Sequence, residues 1–212
     1  MNDPIPTLRT SRLILRPLAL ADFPAYRDFM ASPRAIGVGG PHDLPAAWAM
    51  FCQDRALWSF FGHGALMIDL AEGGECIGQV GINHGPLYPE KELGWLLYDG
   101  HEGKGYAAEA ATALRDWAFN TLKLPTLVSY VSASNRQSAA VAERIGGELD
   151  PMAPSPLPSD LVYRHLGDNP ASLMRISGSE QPAQTTAPGI PGTSYPAKAG
   201  SRSGWRLRGR AC

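Results

Sequence analysis

A glycine-rich turn between a predicted strand and a predicted helix carries the clearest chemical signal in the sequence. It reads Glu102-Gly103-Lys104-Gly105-Tyr106-Ala107-Ala108. Glycines let the main chain turn its N–H groups inward, and the first turn of a helix adds partial positive charge. The segment is therefore a candidate cradle for a diphosphate, formed by Gly103, Lys104, Gly105, Tyr106, Ala107 and Ala108, with the Lys104 ammonium at its rim. A tight turn that binds no ligand is the alternative interpretation.

The same letters satisfy the pattern GxGxxA, which is typical of dinucleotide-binding domains. That pattern needs a parallel strand–helix–strand unit, and an acidic residue usually ends the next strand. Here the preceding predicted strands are joined as a hairpin, and the next strand is followed by Ser132-Ala133-Ser134-Asn135, which offers no carboxylate. An NAD-type oxidoreductase is therefore the less favoured alternative.

The elements that must position this turn alternate between strand and helix along the chain. Apolar periodicity and turn residues predict strands at 12–16, 65–70, 75–82, 92–98, 127–131 and 161–166, and helices at 22–30, 45–58, 105–122 and 135–145. The four residues at 71–74, Ala-Glu-Gly-Gly, predict a tight hairpin and hence an antiparallel connection. The fold class is α/β (α+β), built on a mixed, mostly antiparallel sheet.

Composition divides the chain into two regions. Residues 1–166 carry the periodic pattern of one domain, whereas residues 167–212 contain seven glycines and five prolines and have no apolar periodicity. Such a composition predicts a disordered tail, which in this chain is basic. The formal net charge of the whole chain is -1, so we expect neither nucleic acid nor a membrane surface as a partner.

Cysteine and histidine usage predicts a cytoplasmic protein without a metal. The three cysteines are too few for a disulfide framework and form no CxxC pair. The five histidines lack the spacing of metal ligands. The first residues, MNDPIPTLRTSR, lack the apolar region of a secretory leader, and no later stretch approaches about 20 apolar residues, so we expect a cytoplasmic location.

The chain resembles the GNAT family of N-acetyltransferases, in particular the branch of Rim-type ribosomal-protein N-terminal acetyltransferases. The resemblance depends on an ordered set of blocks that spans residues 8–166. These blocks are residues 8–17 with Asp22-Phe23, Ile77-Gly78-x-Val80-Gly81, Glu92-Leu93-Gly94-Trp95, residues 103–110, and Asn135-x-x-Ser138-x-x-Val141-x-x-x-Ile145-Gly146. The resemblance implies a three-layer fold with helices on both faces of the sheet, and acetyl-CoA as the cosubstrate.

By the same resemblance, the diphosphate of acetyl-CoA lies on the main chain of residues 103–108. The pantetheine arm is expected to pair like an extra strand with the main chain of Trp95, Leu96 and Leu97, where the central strand separates from its neighbour. Asn135 is expected to orient the cofactor. The family commonly has Arg or Gln before Gly-x-Gly, and this chain has Glu102 instead.

Acetyl transfer needs an oxyanion donor, an acid for the departing thiolate and a neutral amine. The resemblance implies a main-chain N–H near Trp95 as the oxyanion donor. Many relatives place a tyrosine acid seven residues after the Asn, where this chain has Ala142, so Ser138 is the candidate acid. Asn135 as a plain helix start and Ser138 as a packed small residue remain the alternatives.

Two carboxylates are candidates for the base that accepts the proton of the amine. Glu92 lies at the mouth of the predicted central strand, and Asp150 follows the Ile145-Gly146 helix stop at the position where the Rim-type branch places a glutamate. Either residue can instead be an ordinary surface carboxylate. The sequence therefore predicts direct acetyl transfer from acetyl-CoA to a primary amine, of a protein N-terminus or a small molecule. A non-catalytic acyl-CoA- or nucleotide-binding module is the alternative function, and the resemblance allows a homodimer.

Overall fold

The structure is a computed structural model that describes residues 5–167. In this range the chain forms eight strands and four α-helices: β1 Leu8–Arg9, β2 Leu13–Arg16, α1 Phe23–Met30, α2 Leu44–Phe61, β3 Ala65–Leu70, β4 Cys76–Asn83, β5 Glu92–Leu97, α3 Tyr106–Asn120, β6 Thr126–Ser132, α4 Arg136–Arg144, β7 Glu148–Leu149 and β8 Asp160–Leu166. Short 3-10 helices cover Leu20–Asp22 and Pro33–Val38. Apart from Gly167, the predicted tail lies outside the described residues.

The eight strands form one sheet in the order β1-β2-β3-β4-β5-β6-β8-β7. Every neighbouring pair is antiparallel except β5 and β6, which are parallel. The prediction of a mixed, mostly antiparallel sheet is thus confirmed. The glycine turn lies between β5 and α3, so β5, α3 and β6 do form a parallel strand–helix–strand unit, which the hairpin-linked strands before the turn did not lead us to expect. The unit still lacks the acidic residue that usually ends the second strand of a dinucleotide-binding unit, because β6 is followed by Ala133, Ser134 and Asn135.

Helices cover both faces of the sheet, as the resemblance implies. On one face, α3 buries a stripe of Ala110, Ala111 and Leu114 against a core that includes Val80 and Leu93. The alanines are fully buried, and such small side chains let a helix approach the sheet closely. On the other face, α1 and α2 pack against Met67 and Leu96 through Tyr26, Met30 and Phe51.

Local capping chemistry sets the helix boundaries, and α2 begins one residue before and ends three residues after the limits predicted from the sequence. The Asp43 side chain accepts a hydrogen bond from the Ala46 amide at 2.9 Å, and Gly62 ends α2 with a left-handed φ of 69°. Asn135 caps α4 in the same way, through the Ser138 amide at 3.0 Å. These are the polar N-caps and glycine C-caps that begin and end helices generally.

Four elements were not predicted from the sequence, one of them the short 3-10 helix Leu20–Asp22. Strands β1 and β7 have two residues each, which is too short for alternation to show. The Pro33–Val38 3-10 helix follows Ser32, whose side chain accepts from the Arg34 amide. Its Ala35 is fully buried against α1 and α2, so this segment, hereafter the Pro33–Val38 segment, is anchored to the domain.

Candidate functional site

The glycine turn after β5 leaves the first amides of α3 without a side-chain cap. Gly100, Gly103 and Gly105 all have left-handed φ angles, of 82°, 73° and 81°. Gly105 is the N-cap of α3, and because it has no side chain, no side-chain acceptor covers the N–H groups that begin the helix. Open amides at the positive end of a 15-residue helix form a suitable site for a phosphate group.

Two basic side chains hold the shape of this turn. The Lys104 ammonium donates to the Gly100 carbonyl at 2.9 Å, which closes the turn on itself. The Arg12 guanidinium donates to the Lys104 carbonyl at 3.0 Å and forms an ion pair with Glu109 in the first turn of α3. The charge of Lys104 is therefore directed to the main chain of the turn.

Strand β5 presents an unpaired edge beside this turn. Strands β5 and β6 are paired at one position only, Glu92 with Val128, where the Val128 amide donates to the Lys91 carbonyl at 3.0 Å. Beyond Glu92, the register of the described residues gives no β6 partner to Trp95 or Leu97. The predicted separation of the central strand from its neighbour is therefore present in the structure.

Alternation along β5 decides which main-chain groups face this opening. The Tyr98 amide donates to the Ile77 carbonyl of β4, and Leu96 is in register with Gln79 of the same strand. Even-numbered positions therefore point their main-chain groups toward β4, whereas Trp95 and Leu97 point theirs toward β6. The expectation that Leu96 offers main-chain contacts to a ligand does not fit this register; Trp95 and Leu97 do fit it.

A buried side-chain contact lies where the two strands separate. The Ser129 hydroxyl of β6 donates to the Leu93 carbonyl at 2.7 Å, and the Nε2 atom of His165 lies 3.1 Å from the same oxygen. Ser129 and His165 are 2% and 1% exposed. Because the single hydroxyl proton goes to Leu93, His165 must donate its Nε2 proton to Ser129. Burial lowers the pKa of His165 to about 4, so the imidazole is neutral. Sequence patterns gave no signal for this contact.

The start of α4 faces the opening from the β6 side. The Asn135 side chain is committed to the Ser138 amide, so its role as a helix cap is established in the structure. Within residues 5–167 the Ser138 hydroxyl has no hydrogen-bond partner and is half-buried. The Trp95 side chain packs with a cluster that contains Ala139 and Ala142, the α4 neighbours of Ser138. Trp95 thus connects the unpaired edge of β5 to this part of α4.

Glu92 lies at the start of β5, on the face that α2 covers. Its Oε2 atom accepts a hydrogen bond from the Asn83 side-chain amide at 2.9 Å. Burial raises the pKa of Glu92 to about 7, and the hydrogen bond from Asn83 opposes the shift only in part. A carboxyl group with such a pKa can accept a proton near neutral pH and release it again.

A second carboxyl group of the same character, Asp54 on α2, was missed by the sequence analysis. The Tyr26 hydroxyl donates to its Oδ2 atom at 3.3 Å, and burial raises the pKa of Asp54 to about 7. Burial, followed by the charges of Glu92 and Asp54, raises the pKa of Tyr88. Tyr88, in the loop before β5, is therefore within electrostatic reach of both carboxylates. No periodic signal marks Asp54, because a single carboxylate within α2 forms no repeating pattern.

Asp150 is placed differently from Glu92. Its Oδ2 atom accepts from the Arg164 Nε at 2.6 Å, and this hydrogen bond is the main reason that the pKa of Asp150 lies below its usual range. Arg164 also contacts both carboxylate oxygens of Glu90 at 2.8 Å. Arg164 is in register with Val128, and Val128 is in register with Glu92, so strand β6 lies between the Arg164–Asp150 pair and Glu92. The structure therefore does not bring Asp150 and Glu92 together.

Neither a metal centre nor a membrane-spanning helix is found in the part of the chain that the structure describes. Within residues 5–167 no three His, Cys, Asp or Glu side chains are grouped to hold a metal ion. None of the four α-helices in the same range combines the length and apolar character needed to cross a bilayer.

Comparison with known proteins identifies the type of domain to which most of the described residues belong. The profile described as "Acetyltransferase (GNAT) domain" matches residues 12–148. A crystal structure of an acetyltransferase from Agrobacterium tumefaciens strain C58 is 78% identical, with a TM-score of 0.75, over 78% of this chain and 96% of that one.

Two further matches are more distant. The structure of RimL, a ribosomal alpha-N-protein acetyltransferase in complex with coenzyme A, is 19% identical with a TM-score of 0.61, over 77% of this chain and 99% of that one, and shows a shared fold. Among curated relatives, the uncharacterised protein YkkB of Bacillus subtilis is 36% identical over 75 residues, 34% of this chain. That alignment spans 44% of the length of YkkB, less than half of it.

Proposed function

The chain belongs to the GNAT acetyltransferase family, and from this membership we propose that it transfers the acetyl group of acetyl-CoA directly to a primary amine. The observation that carries the proposal is the juxtaposition of two open sets of main-chain groups. One set is the uncapped amides at the start of α3, and the other is the unpaired β5 edge at Trp95 and Leu97. A diphosphate and an amide-rich arm need these two kinds of partner, one after the other.

Acetyl-CoA supplies the acetyl group as a thioester that is already activated for attack. We propose that the main chain of residues 103–108 binds its diphosphate and that Trp95 and Leu97 bind its pantetheine arm. The Trp95 N–H then donates to the carbonyl oxygen on which negative charge develops during attack. Asn135 orients the ligand indirectly, because it fixes the first turn of α4 through the Ser138 amide.

The proton transfers are assigned to two side chains on opposite sides of the opening. The Glu92 carboxylate takes the proton that the amine loses as the new carbon–nitrogen bond forms. The Ser138 hydroxyl, directly or through a held water, gives a proton to the sulfur as the carbon–sulfur bond breaks. As the products leave, Ser138 regains a proton from solvent and Glu92 releases its proton to solvent, which restores both groups. Asp150 is the second candidate base, and its low pKa and ion pair with Arg164 make it the weaker proton acceptor.

The acceptor is proposed to enter on the face where Glu92, Tyr88 and Asp54 lie near one another. Protein N-termini and small-molecule amines both remain within the proposal. We further propose that the catalytic domain ends with β8 near Leu166 and that the activity is cytoplasmic. The family resemblance allows a homodimer, and sedimentation would measure the oligomeric state.

The proposal is tested by combining binding with a panel of acceptors. Isothermal titration should show binding of acetyl-CoA and no binding of NAD(H). Incubation with acetyl-CoA and peptides, polyamines or aminoglycosides should release free CoA thiol, with the acetylated amine identified by mass spectrometry. A reaction without acceptor provides the background, because the chain has its own exposed thiol at Cys52. Binding of CoA without thiol release from any acceptor would favour the non-catalytic module.

A further inference from the structure

The turn that is proposed to bind the diphosphate carries an unfavourable charge. Asp99 and Glu102 both lie within the turn, and Glu102 occupies the position where the resembled family commonly has Arg or Gln. A carboxylate beside a bound diphosphate weakens the binding of the diphosphate, because the two negative charges repel each other. The Lys104 ammonium is directed toward the Gly100 carbonyl, and the Arg12 guanidinium is paired with Glu109. Another cation is therefore needed at this point.

Arg34 brings that cation from a distant part of the sequence. Its guanidinium forms an ion pair with Glu102 and lies 3.4 Å from the Asp99 carboxylate. It also lies over the Phe29 ring, 5.7 Å from the centroid, which restricts its position. The main chain at Arg34 is fixed as well, because its amide donates to the Ser32 hydroxyl and the next residue, Ala35, is fully buried.

The rest of the Pro33–Val38 segment reaches the other side of the opening between β5 and β6. A Cβ atom placed on Gly37 would lie 3.3 Å from the side-chain nitrogen of Asn135. The segment therefore contacts the α3 turn through Arg34 and approaches the start of α4 through Gly37. It lies across the two ends of the proposed cofactor site.

We propose that Arg34 is a cofactor-binding residue that supplies the positive charge for the CoA diphosphate. This inference rests on the proposed function. Glu102 holds the guanidinium beside the open amides of α3, and the diphosphate shares it when CoA binds. A guanidinium has five N–H donors in a planar fork, so it can bond to a carboxylate and a phosphate oxygen together. Glu102 is then a positioning residue whose negative charge Arg34 neutralises.

The test is a charge cycle at the two positions, measured by calorimetric titration with CoA. Arg34→Ala should raise the Kd for CoA about tenfold or more, because it removes a charge-assisted hydrogen bond and leaves Glu102 unpaired. Glu102→Gln alone should change the Kd by less than about threefold. The double variant Arg34→Ala/Glu102→Gln should bind CoA more tightly than Arg34→Ala, because the repulsive carboxylate is gone.

Pantetheine, which lacks the diphosphate, separates a phosphate contact from a general disturbance of the segment. In competition titrations, Arg34→Ala should leave pantetheine affinity unchanged. Arg27→Ala is the matched control, since Arg27 is an exposed arginine on α1 that pairs with its neighbour Asp28, and it should leave both affinities unchanged. Equal losses for CoA and pantetheine in Arg34→Ala, or no loss of CoA affinity, would overturn the proposal. Failure of the wild-type chain to bind CoA would instead count against the proposed function itself.

Discussion

The Ser129 hydroxyl donates to the Leu93 carbonyl at 2.7 Å, directly beyond the single position at which β5 and β6 are paired. A side-chain hydrogen bond thus joins β5 and β6 at the point where their main-chain hydrogen bonds end. His165 from β8 supports the hydroxyl from the other side, so three strands meet in one buried contact. Because all three groups are buried, each depends on the others for its hydrogen bonds.

Removing this hydroxyl should destabilise the domain. In Ser129→Ala, the Leu93 carbonyl and the His165 Nε2–H both lose a buried partner, which should lower the free energy of unfolding by about 1 to 3 kcal/mol. Urea unfolding at neutral pH measures the change, and Ser129→Thr, which keeps the hydroxyl, should be milder. Identical unfolding midpoints for the alanine variant and the wild type would show that the contact does not contribute to stability.

The assignment of Glu92 as base predicts a pH dependence. A base must be deprotonated to act, so kcat/KM should rise with pH through an apparent pKa of about 7, the value to which burial raises Glu92. Glu92→Gln should lose this rising limb and lower kcat by roughly 10²-fold. Asp150→Asn should keep the limb, and its disappearance in that variant instead would assign the base to Asp150.

Ser138 is predicted to act on turnover and not on affinity. Ser138→Ala retains the main-chain amide that Asn135 caps, so α4 should begin unchanged. Turnover should fall about tenfold or more, while the Kd for CoA, measured by titration, stays within about twofold. Ser134→Ala, an exposed serine just before α4, is the control that should affect neither quantity. A parallel loss of affinity in Ser138→Ala would argue against an acid role.

A bulky residue at Gly105 should abolish CoA binding. Its φ of 81° is unfavourable for a β-branched side chain, so Gly105→Val must move the amides that begin α3. Gly62→Val is the matched control, because Gly62 has a φ of 69° at the end of α2 and open space around it. Both variants should lose stability in thermal unfolding, but only Gly105→Val should lose CoA in titration. Retained CoA binding in Gly105→Val would contradict the assignment of the turn.

The fold was predictable where side chains repeat with a regular period. The α3 stripe around Leu114 gave that helix nearly correct limits, because burial on one face imposes the period. Strand β4 is buried along almost its whole length and was located from the Ala-Glu-Gly-Gly turn that precedes it. The two-residue strand β7 offers no period to detect. The Pro33–Val38 segment is fixed by the Ser32 turn and by burial of Ala35, and neither feature is periodic.

The site was predictable only where one continuous segment forms it. The turn at residues 103–108 carries its glycines in its own sequence, so its main-chain geometry could be anticipated. Contacts between segments that are distant in the sequence could not be anticipated. The Arg34–Glu102 pair joins residues that are far apart in the sequence, and the Ser129–His165 contact depends on which strands are neighbours in the sheet. Likewise, Leu96 was expected to face a ligand, and only the register of β5 showed that its main chain turns to β4.

The sparse pairing between β5 and β6 divides the sheet into two blocks, β1 to β5 and β6 to β8, and this has a consequence for how the protein opens. With so few hydrogen bonds across the boundary, local fluctuations of the sheet concentrate there, and nearby amides exchange with solvent sooner than those inside either block. We expect a ligand that bonds to both sides to slow this exchange. Binding at the site should then be detectable as increased protection from hydrogen exchange of the amides on both sides of the boundary.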